Sequence, residues 1–214
     1  MDATLTETLK KDALFCYQGP KSYHPYNVLW YEHNVVFHSE FRDGNVPAGF
    51  GQLRILKECL SSLPSGVEEV YIRSDSAGYQ HELLKYCAEG KDERFGRIGF
   101  AISIDIYDGF KRVVLTDRDI KWRPIYKEIS PGLKIKSGQE WSEICYVPTE
   151  LCKSKKSPDY LFIAIREELK QKVLPGMEDQ LDLPFPTIEM GQKRYKLTGI
   201  VTNLDREGDG RIGG

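Results

Sequence analysis

The sequence lacks the features that mark membrane-spanning, secreted or zinc-binding proteins. None of the apolar runs in its 214 residues approaches the length of a membrane span, and no secretory signal opens the chain. Its five cysteines are odd in number and include no Cys-x-x-Cys pair, which argues against a disulfide framework. The four histidines have no zinc-ligand spacing with one another or with cysteine. We therefore expect a protein of the reducing cytoplasm with no membrane partner.

The chain also lacks an excess of positive charge. Lysine and arginine number 30 against 32 aspartate and glutamate residues, for a formal net charge of -2. The chain as a whole is therefore not an electrostatic attractor of DNA, and any contact with nucleic acid must come from local patches. No glycine-rich phosphate loop is present in the sequence, and no motif singles out a Ser/His/Asp set.

The first half of the chain alternates strand and helix patterns. Residues 26–41 are typical of a hairpin, and residues 98–104 alternate apolar and polar side chains as a strand does. Residues 53–63 carry leucine and cysteine at helical spacing, and residues 80–88 predict a second, short helix. Between these helices, the apolar run 67–72 predicts a buried strand. This order predicts an α/β layer built on a mixed sheet.

After Asp105 the pattern changes to short β-like runs separated by loops with proline and glycine. The runs lie at 143–147, 160–166 and 195–202. We interpret this half as a β-rich insertion attached to the α/β layer, followed by a tail with no apolar pattern. The predicted divisions are an α/β core at 1–105, the β-rich insertion at 106–204 and a disordered tail at 205–214.

Asp75 is the first candidate for chemistry because it stands at the exit of the predicted buried strand, just before a helix. A carboxylate in that position projects beyond the carboxyl edge of the sheet, where α/β proteins bind their ligands. Magnesium and similar hard cations prefer such oxygen ligands. The alternative is that Asp75 only caps the following helix, which aspartate commonly does.

Asp2 is a second candidate carboxylate, close to the start of the chain. A polar segment near a terminus is often only a solvated start. A phosphatase loop of the Asp-x-Asp-x-Thr type is a different interpretation, but residue 1 is methionine and the nucleophilic aspartate of that loop has no counterpart. Asp105 also follows a predicted strand and is either an extra ligand or simply a polar strand end.

Several longer motifs, taken together and in order, resemble bacterial insertion-sequence transposases of the DDE class. The resemblance covers nearly the whole chain up to about Leu204, and it includes an Arg-x-Gly-Asn turn and an Arg-Ser-Asp-Ser-Ala-Gly-Tyr strand end. The matching segments are 2–8 (DATLTET), 13–17 (ALFCY), 38–47 (HSEFRDGNVP), 73–79 (RSDSAGY), 82–87 (ELLKYC), 158–160 (PDY), 174–180 (LPGMEDQ) and 199–203 (GIVTN).

The resemblance implies a ribonuclease H-like mixed sheet with helices, interrupted by a β-rich insertion after the second catalytic aspartate. Asp2 matches the first catalytic aspartate of this family and Asp75 matches the second. In such enzymes the aspartates hold Mg²⁺ or Mn²⁺, where one metal activates the attacking water or DNA 3′-hydroxyl and the other stabilises the leaving oxygen.

The resemblance also implies partners. The complete enzymes act on DNA, namely the ends of the mobile element and its target, and a homo-oligomer is compatible with this activity. Within the matching motifs, Arg42, Asn45 and Arg73 are candidate DNA contacts. A basic run outside those motifs either meets phosphate or forms a solvated loop. Its members are Lys153, Lys155 and Lys156.

The family's third metal ligand is a glutamate on a helix after the β-rich insertion. After Asn203 this chain has no such helix, and the segment that precedes Asp2 in the family has no counterpart either. We therefore expect a fragment, truncated at both ends, that is inactive alone. The alternative is a non-catalytic remnant that is inert or binds DNA or a partner transposase weakly.

Overall fold

The computed structural model describes residues 1–146, 148, 160–169 and 183–204. They form a mixed α/β fold that divides into two compact units, Met1–Ile102 and Ser103–Gly214. The predicted basic run at 153–156, the motif at 174–180 and the predicted tail at 205–214 lie outside the described residues. No helix in the described part of the chain is long and apolar enough to cross a membrane.

The first unit combines a small antiparallel sheet, a parallel strand pair and two helices. Strand β1 pairs with β4, which pairs with β5, all antiparallel, whereas β6 and β7 are parallel. A separate pair joins β2 and β3. The elements are β1 Asp2–Ala3, β2 Thr6–Glu7, β3 Ser22–Tyr23, β4 Tyr26–Trp30, β5 Val35–Glu40, α1 Gln52–Ser62, β6 Tyr71–Ser74, α2 His81–Ala88 and β7 Gly99–Ile104, whose last two residues belong to the second unit.

The local patterns of the first unit are largely confirmed. The hairpin predicted at 26–41 is β4 and β5, and the alternation at 98–104 is β7, whose isoleucines and phenylalanine are buried. Helix α2 buries Leu83, Leu84 and Cys87, one apolar stripe of a short amphipathic helix. Helix α1 ends at Ser62, shortly before Pro64, which cannot continue a helix.

The strand predicted at 67–72 is wrong in its bounds, because β6 spans Tyr71–Ser74. Arg94 explains the difference. Its guanidinium donates to the carbonyl oxygens of Leu63, Pro64 and Val67, at 2.7 Å for Leu63 and 3.1 Å for Val67. These carbonyls are therefore committed to a loop, and extended pairing begins only after them.

The second unit is an antiparallel sheet with one helix among its described residues. The strand order is β8–β9–β10–β12, and β11 pairs with the other edge of β12. The predicted runs at 143–147, 160–166 and 195–202 correspond to the end of β9, β10 and β12. The elements are α3 Asp108–Thr116, β8 Arg123–Ser130, β9 Leu133–Ile144, β10 Leu161–Glu168, β11 Thr187–Met190 and β12 Lys193–Thr202.

Three elements of this unit were not predicted from the sequence, namely helix α3 and strands β8 and β11. Helix α3 buries only Phe110 and Val114, too few side chains to give a clear helical period. Strand β8 is exposed along most of its length, so it has no alternation of buried and exposed residues. The core of the unit needs Gly199, because a Cβ atom there would lie 2.6 Å from Ile104 Cγ1 and 2.9 Å from Phe110 Cζ.

Candidate functional site

The two predicted catalytic aspartates follow backbone segments that are hydrogen-bonded to each other. The amino group of Met1 donates to the Arg73 carbonyl oxygen at 3.0 Å, and Ser74 Oγ donates to the Met1 carbonyl oxygen at 3.2 Å. Asp2 and Asp75 are the next residues along these two segments. The start of β1 therefore lies beside the end of β6.

The electrostatics around Met1 and Tyr26 indicate that both carboxylates act on the same small region. Burial lowers the pKa of the Met1 amino group, and the charges of Asp2 and Asp75 oppose that shift. Burial also raises the pKa of Tyr26 well above its ordinary value; Arg42 lowers this pKa, and Asp75 and Asp2 raise it further. Both charges therefore reach these two groups, although Asp2 and Tyr26 project from opposite faces of the β1–β4 pair, since Tyr26 lies opposite Ala3 in the register.

Tyr26 lies in the core, on the face of β1 opposite to Asp2. Its side chain is fully buried and packs in the core with Ile55 and Cys59. Its hydroxyl is buried and has no hydrogen-bond partner within the described residues. Burial keeps this hydroxyl protonated, so it is a donor that has no partner in the described part of the chain.

Asp75 is exposed and does cap a short turn. Its Oδ1 accepts a hydrogen bond of 3.2 Å from Ala77 N at the start of the 3₁₀ turn Ser76–Gly78. The turn is tight, since a Cβ atom on Gly78 would lie 2.5 Å from Ser74 Oγ. The capping interpretation of Asp75 is therefore realised, but it occupies only Oδ1 and leaves Oδ2 without a hydrogen bond in the described part of the chain.

Asp2 is held more loosely. It is exposed in β1, opposite Asn27 of β4 in the antiparallel register. Its Oδ2 receives one long hydrogen bond, 3.4 Å from Thr4 Oγ1. Backbone pairing thus fixes the position of Asp2, whereas its carboxylate is free to take a ligand.

Arg42, which we predicted as a DNA contact, is not on the surface. It is 5% exposed, its Nε donates to Glu40 Oε1 at 2.7 Å, and its guanidinium lies 4.5 Å from the centre of the Tyr26 ring. Arg54 donates to the other carboxylate oxygen of Glu40 at 2.5 Å. Hydrogen bonds from Arg54, and to a smaller extent from Arg42, lower the pKa of Glu40, whereas burial raises it. Arg42 therefore supports Tyr26 from within the fold.

The turn that carries Arg42 is anchored on the segment 22–24. A Cβ atom on Gly44 would lie 2.3 Å from Ser22 Oγ, so only glycine fits there without movement. The backbone N–H of His24 donates to the Arg42 carbonyl oxygen at 2.8 Å, and His24 Nδ1 donates to the Val46 carbonyl oxygen at 2.8 Å. The Arg-Asp-Gly-Asn motif thus has a structural role that the sequence did not reveal.

The remaining predicted contacts are distributed differently. Asn45 and Arg73 are exposed, as a DNA contact requires. Asp105 is exposed directly after β7, in the second unit. Lys153, Lys155 and Lys156 lie outside the described residues.

An open pocket of about 330 Å³ lies beside Asp75. Apart from Asp75, none of its lining residues was a predicted metal ligand or DNA contact. The pocket is lined by Ala3, Thr4, Leu5, Tyr17, Gln18, His24, Ala48 and Asp75. Besides Asp75, four of these residues belong to the matching segments 2–8 and 13–17, neither of which indicates a pocket by its composition.

Divalent metal is chemically compatible with Asp2 and Asp75, because Mg²⁺ and Mn²⁺ prefer carboxylate oxygens. Oxygens of both carboxylates fit such a ligand, since Asp75 Oδ2 has no hydrogen bond in the described part of the chain and Asp2 Oδ2 has a single long one. However, the described residues contain no group of three or more His, Cys, Asp or Glu side chains that is arranged to hold a metal. The described part of the site thus offers two protein ligands.

The second unit has a pocket of its own, of about 410 Å³, on its sheet. Arg166 lines it, with its guanidinium 4.2 Å from the Trp122 ring centre and 4.7 Å from the Tyr195 ring centre. Glu140 accepts a 2.8 Å hydrogen bond from Arg166 Nε, and Lys193 pairs with Glu168. Arg166 and Lys193 are therefore already neutralised, whereas Lys136, which also lines the pocket, has no ion pair among the described residues.

Comparison with known proteins adds no identification, since no family model, curated protein or solved structure matches the chain.

Proposed function

We propose that this chain is part of a DDE transposase that cleaves and joins DNA strands with the help of divalent metal, and that Asp2 and Asp75 are two of its metal ligands. One observation carries the proposal. The residues that precede the two aspartates are hydrogen-bonded to each other although they are 72 and 73 positions apart in sequence. Aspartates from neighbouring strands are the arrangement that two-metal phosphodiester chemistry uses.

The order of elements in the first unit supports a ribonuclease H-like fold. Antiparallel strands β5, β4 and β1 are followed in space by β6 and its parallel neighbour β7. Helix α1 connects β5 to β6, and helix α2 connects β6 to β7. The resemblance of the motifs to insertion-sequence transposases predicts this same core, so the fold and the motifs favour one interpretation.

The chain's own residues supply position and charge. Asp2 and Asp75 would bind Mg²⁺ or Mn²⁺, which when bound activates an attacking oxygen and stabilises a leaving oxygen of DNA. Tyr26 lies opposite Ala3 and so anchors the strand that carries Asp2, and Arg42 stacked on the Tyr26 ring is held by Glu40. The 3₁₀ turn at Ser76–Gly78 fixes the direction of Asp75 by binding its Oδ1.

The alternative is a non-catalytic chain, and one observation favours it. Asp75 already has a structural partner in Ala77 N, and no third acidic ligand accompanies the two aspartates among the described residues. A positioned site that lacks one ligand loses orders of magnitude in rate, because orientation and charge stabilisation fail together. We therefore propose that the chain carries the transposase site but is inactive alone.

The proposal is tested by a calorimetric titration of the purified chain with Mn²⁺. Wild-type protein should bind Mn²⁺ weakly, and both Asp2→Asn and Asp75→Asn should weaken binding at least about ten-fold, because each removes one charged ligand. Asp119→Asn removes an equally exposed aspartate elsewhere in the chain and should change nothing. Equal affinity in the wild type and both site variants would refute the metal site.

A further inference from the structure

The loop that carries Tyr17 into the pocket beside Asp75 is held in one conformation. Cys16 N donates to the Pro20 carbonyl oxygen at 3.0 Å, and Gly19 N donates back to the Cys16 carbonyl oxygen at 3.0 Å. Phe15 and Lys21 form an antiparallel bridge below this turn. The resulting aromatic tip, residues 15–21, is therefore a preformed feature of the surface.

The aromatic tip presents ring faces to solvent instead of to a core. Tyr17 is 82% exposed and Phe15 is 65% exposed. Gln18 Nε2 donates to the Tyr17 hydroxyl at 3.0 Å, which orders the ring. Tyr17 and Gln18 line the same pocket as Asp75. A ligand that lies on the tip thus extends directly to a proposed metal ligand.

Lys21 belongs to the aromatic tip, and Lys10 and Lys11 lie on the arm of the chain beside it, with Lys10 Nζ 5.8 Å from the centre of the Tyr23 ring. Lys10 and Lys11 are exposed, and Lys21 lies half-buried with its Nζ 5.6 Å from the Phe15 ring centre. Lys21 Nζ also donates to the Lys11 carbonyl oxygen at 2.6 Å, which ties the two arms of the loop together. None of the three forms an ion pair within the described part of the chain. The charges of the exposed Lys10 and Lys11 are therefore available to an anion.

Together these features match the surface that single-stranded nucleic acid prefers. Aromatic rings accept stacked bases of any sequence, and adjacent cations attract the phosphates between them. A protein partner would gain less from this surface, since unpaired lysines are depleted from the centres of protein interfaces. We propose that the aromatic tip binds an unpaired stretch of DNA, with a base stacked on Tyr17 and phosphates near Lys10 and Lys11. That the bound strand is DNA rests on the proposed function, and the inference adds the surface on which this strand lies.

The test measures binding of a fluorescein-labelled thymidine oligonucleotide of about 15 nucleotides by anisotropy, in EDTA so that no metal contributes. Tyr17→Ala should weaken binding on the order of ten-fold, whereas Tyr17→Phe, which keeps the ring, should bind within about two-fold of wild type. Tyr31→Ala is the matched control, because Tyr31 is 71% exposed and does not line the pocket. It should bind as wild type does.

Further arms separate the possible causes. The logarithm of the affinity falls as the logarithm of the salt concentration rises, and Lys10→Gln and Lys11→Gln should each make this negative slope shallower by about 0.7. Equal binding by wild type and Tyr17→Ala, or no binding by wild type, would overturn the inference, and so would stronger binding of a uridine oligonucleotide or of duplex DNA. A change of oligomeric state in Tyr17→Ala on sedimentation would likewise overturn it in favour of self-association.

The outcome is distinguishable from failure of the proposed function. Asp75→Asn should bind the oligonucleotide in EDTA at least as well as wild type, because it removes a negative charge beside the strand. If Tyr17 proves necessary for binding while Mn²⁺ affinity is unchanged by Asp75→Asn, the strand-binding surface stands and the metal site falls. If the reverse holds, the metal site stands and the aromatic tip is not where DNA binds.

Discussion

Asp75 has two possible roles that a pair of substitutions can separate. As a cap, it supplies Oδ1 to Ala77 N at 3.2 Å. As a metal ligand, it supplies charge and its second oxygen. Asp75→Asn keeps an oxygen that can accept from Ala77 N but removes the charge, whereas Asp75→Ala removes both. The two variants should therefore differ in stability and agree in metal binding.

The expected magnitudes follow from the geometry of the turn. Loss of an N-cap side chain costs roughly 0.5–2 kcal/mol, and the long, exposed hydrogen bond of Asp75 favours the lower half of that range. Asparagine caps as well as aspartate, and relief of repulsion with Asp2 through water contributes at most a few tenths of a kcal/mol. We expect Asp75→Ala to lower the free energy of unfolding by about 0.5–1 kcal/mol and Asp75→Asn to change it by less than about 0.5 kcal/mol.

The assay is urea unfolding followed by circular dichroism, in EDTA and then in Mn²⁺ at about ten times its dissociation constant. A ligand that binds only the folded state stabilises it there by about 1.4 kcal/mol. Wild type should gain this amount, and both Asp75 variants should gain little of it. Removal of the metal by EDTA should return wild type to its starting stability.

Two results would refute the reasoning. If Asp75→Asn destabilises the protein as much as Asp75→Ala, the charge and not the cap supports the fold. If Asp75→Asn gains the full stabilisation from Mn²⁺, Asp75 is not a metal ligand and its role is the cap alone.

Three further outcomes are expected. Gly199→Ala should destabilise the second unit by about 1–3 kcal/mol in urea unfolding, because its methyl group would overlap Ile104, and an unchanged midpoint would contradict this packing. Burial raises the pKa of Cys59 from 9.0 to about 11 and the pKa of Cys87 from 9.0 to about 12. The stability that the two buried thiols contribute is therefore complete below about pH 9 and is lost as the pH rises through the raised values. Cys87→Ala should flatten the decline of the unfolding midpoint at alkaline pH. The purified chain should not nick DNA carrying matching element ends with Mg²⁺ or Mn²⁺, and metal-dependent nicking that disappears in Asp75→Asn would contradict this.

The sequence predicted those elements whose side chains repeat with a clear period. Helix α2 and strand β7 bury the residues that their spacing indicated, because the period of a helix or strand decides which side chains share a face. The turn after β6 was indicated for a different reason, namely the serine and glycine that follow Asp75, although the bounds of β6 itself were wrong. Strand β8 and helix α3 bury too few residues to leave such a pattern.

What the tertiary structure alone decided is which distant segments meet. Local preferences do not indicate that Met1 hydrogen-bonds to Arg73 and Ser74, that Arg42 withdraws from solvent onto the Tyr26 ring, or that Tyr17 shares a pocket with Asp75. Each of these depends on desolvation and on hydrogen bonds that form only when the core has assembled. The sequence by itself therefore determined the candidate aspartates and most of the local elements, whereas the surface on which they can act exists only because the folded chain brings those segments together.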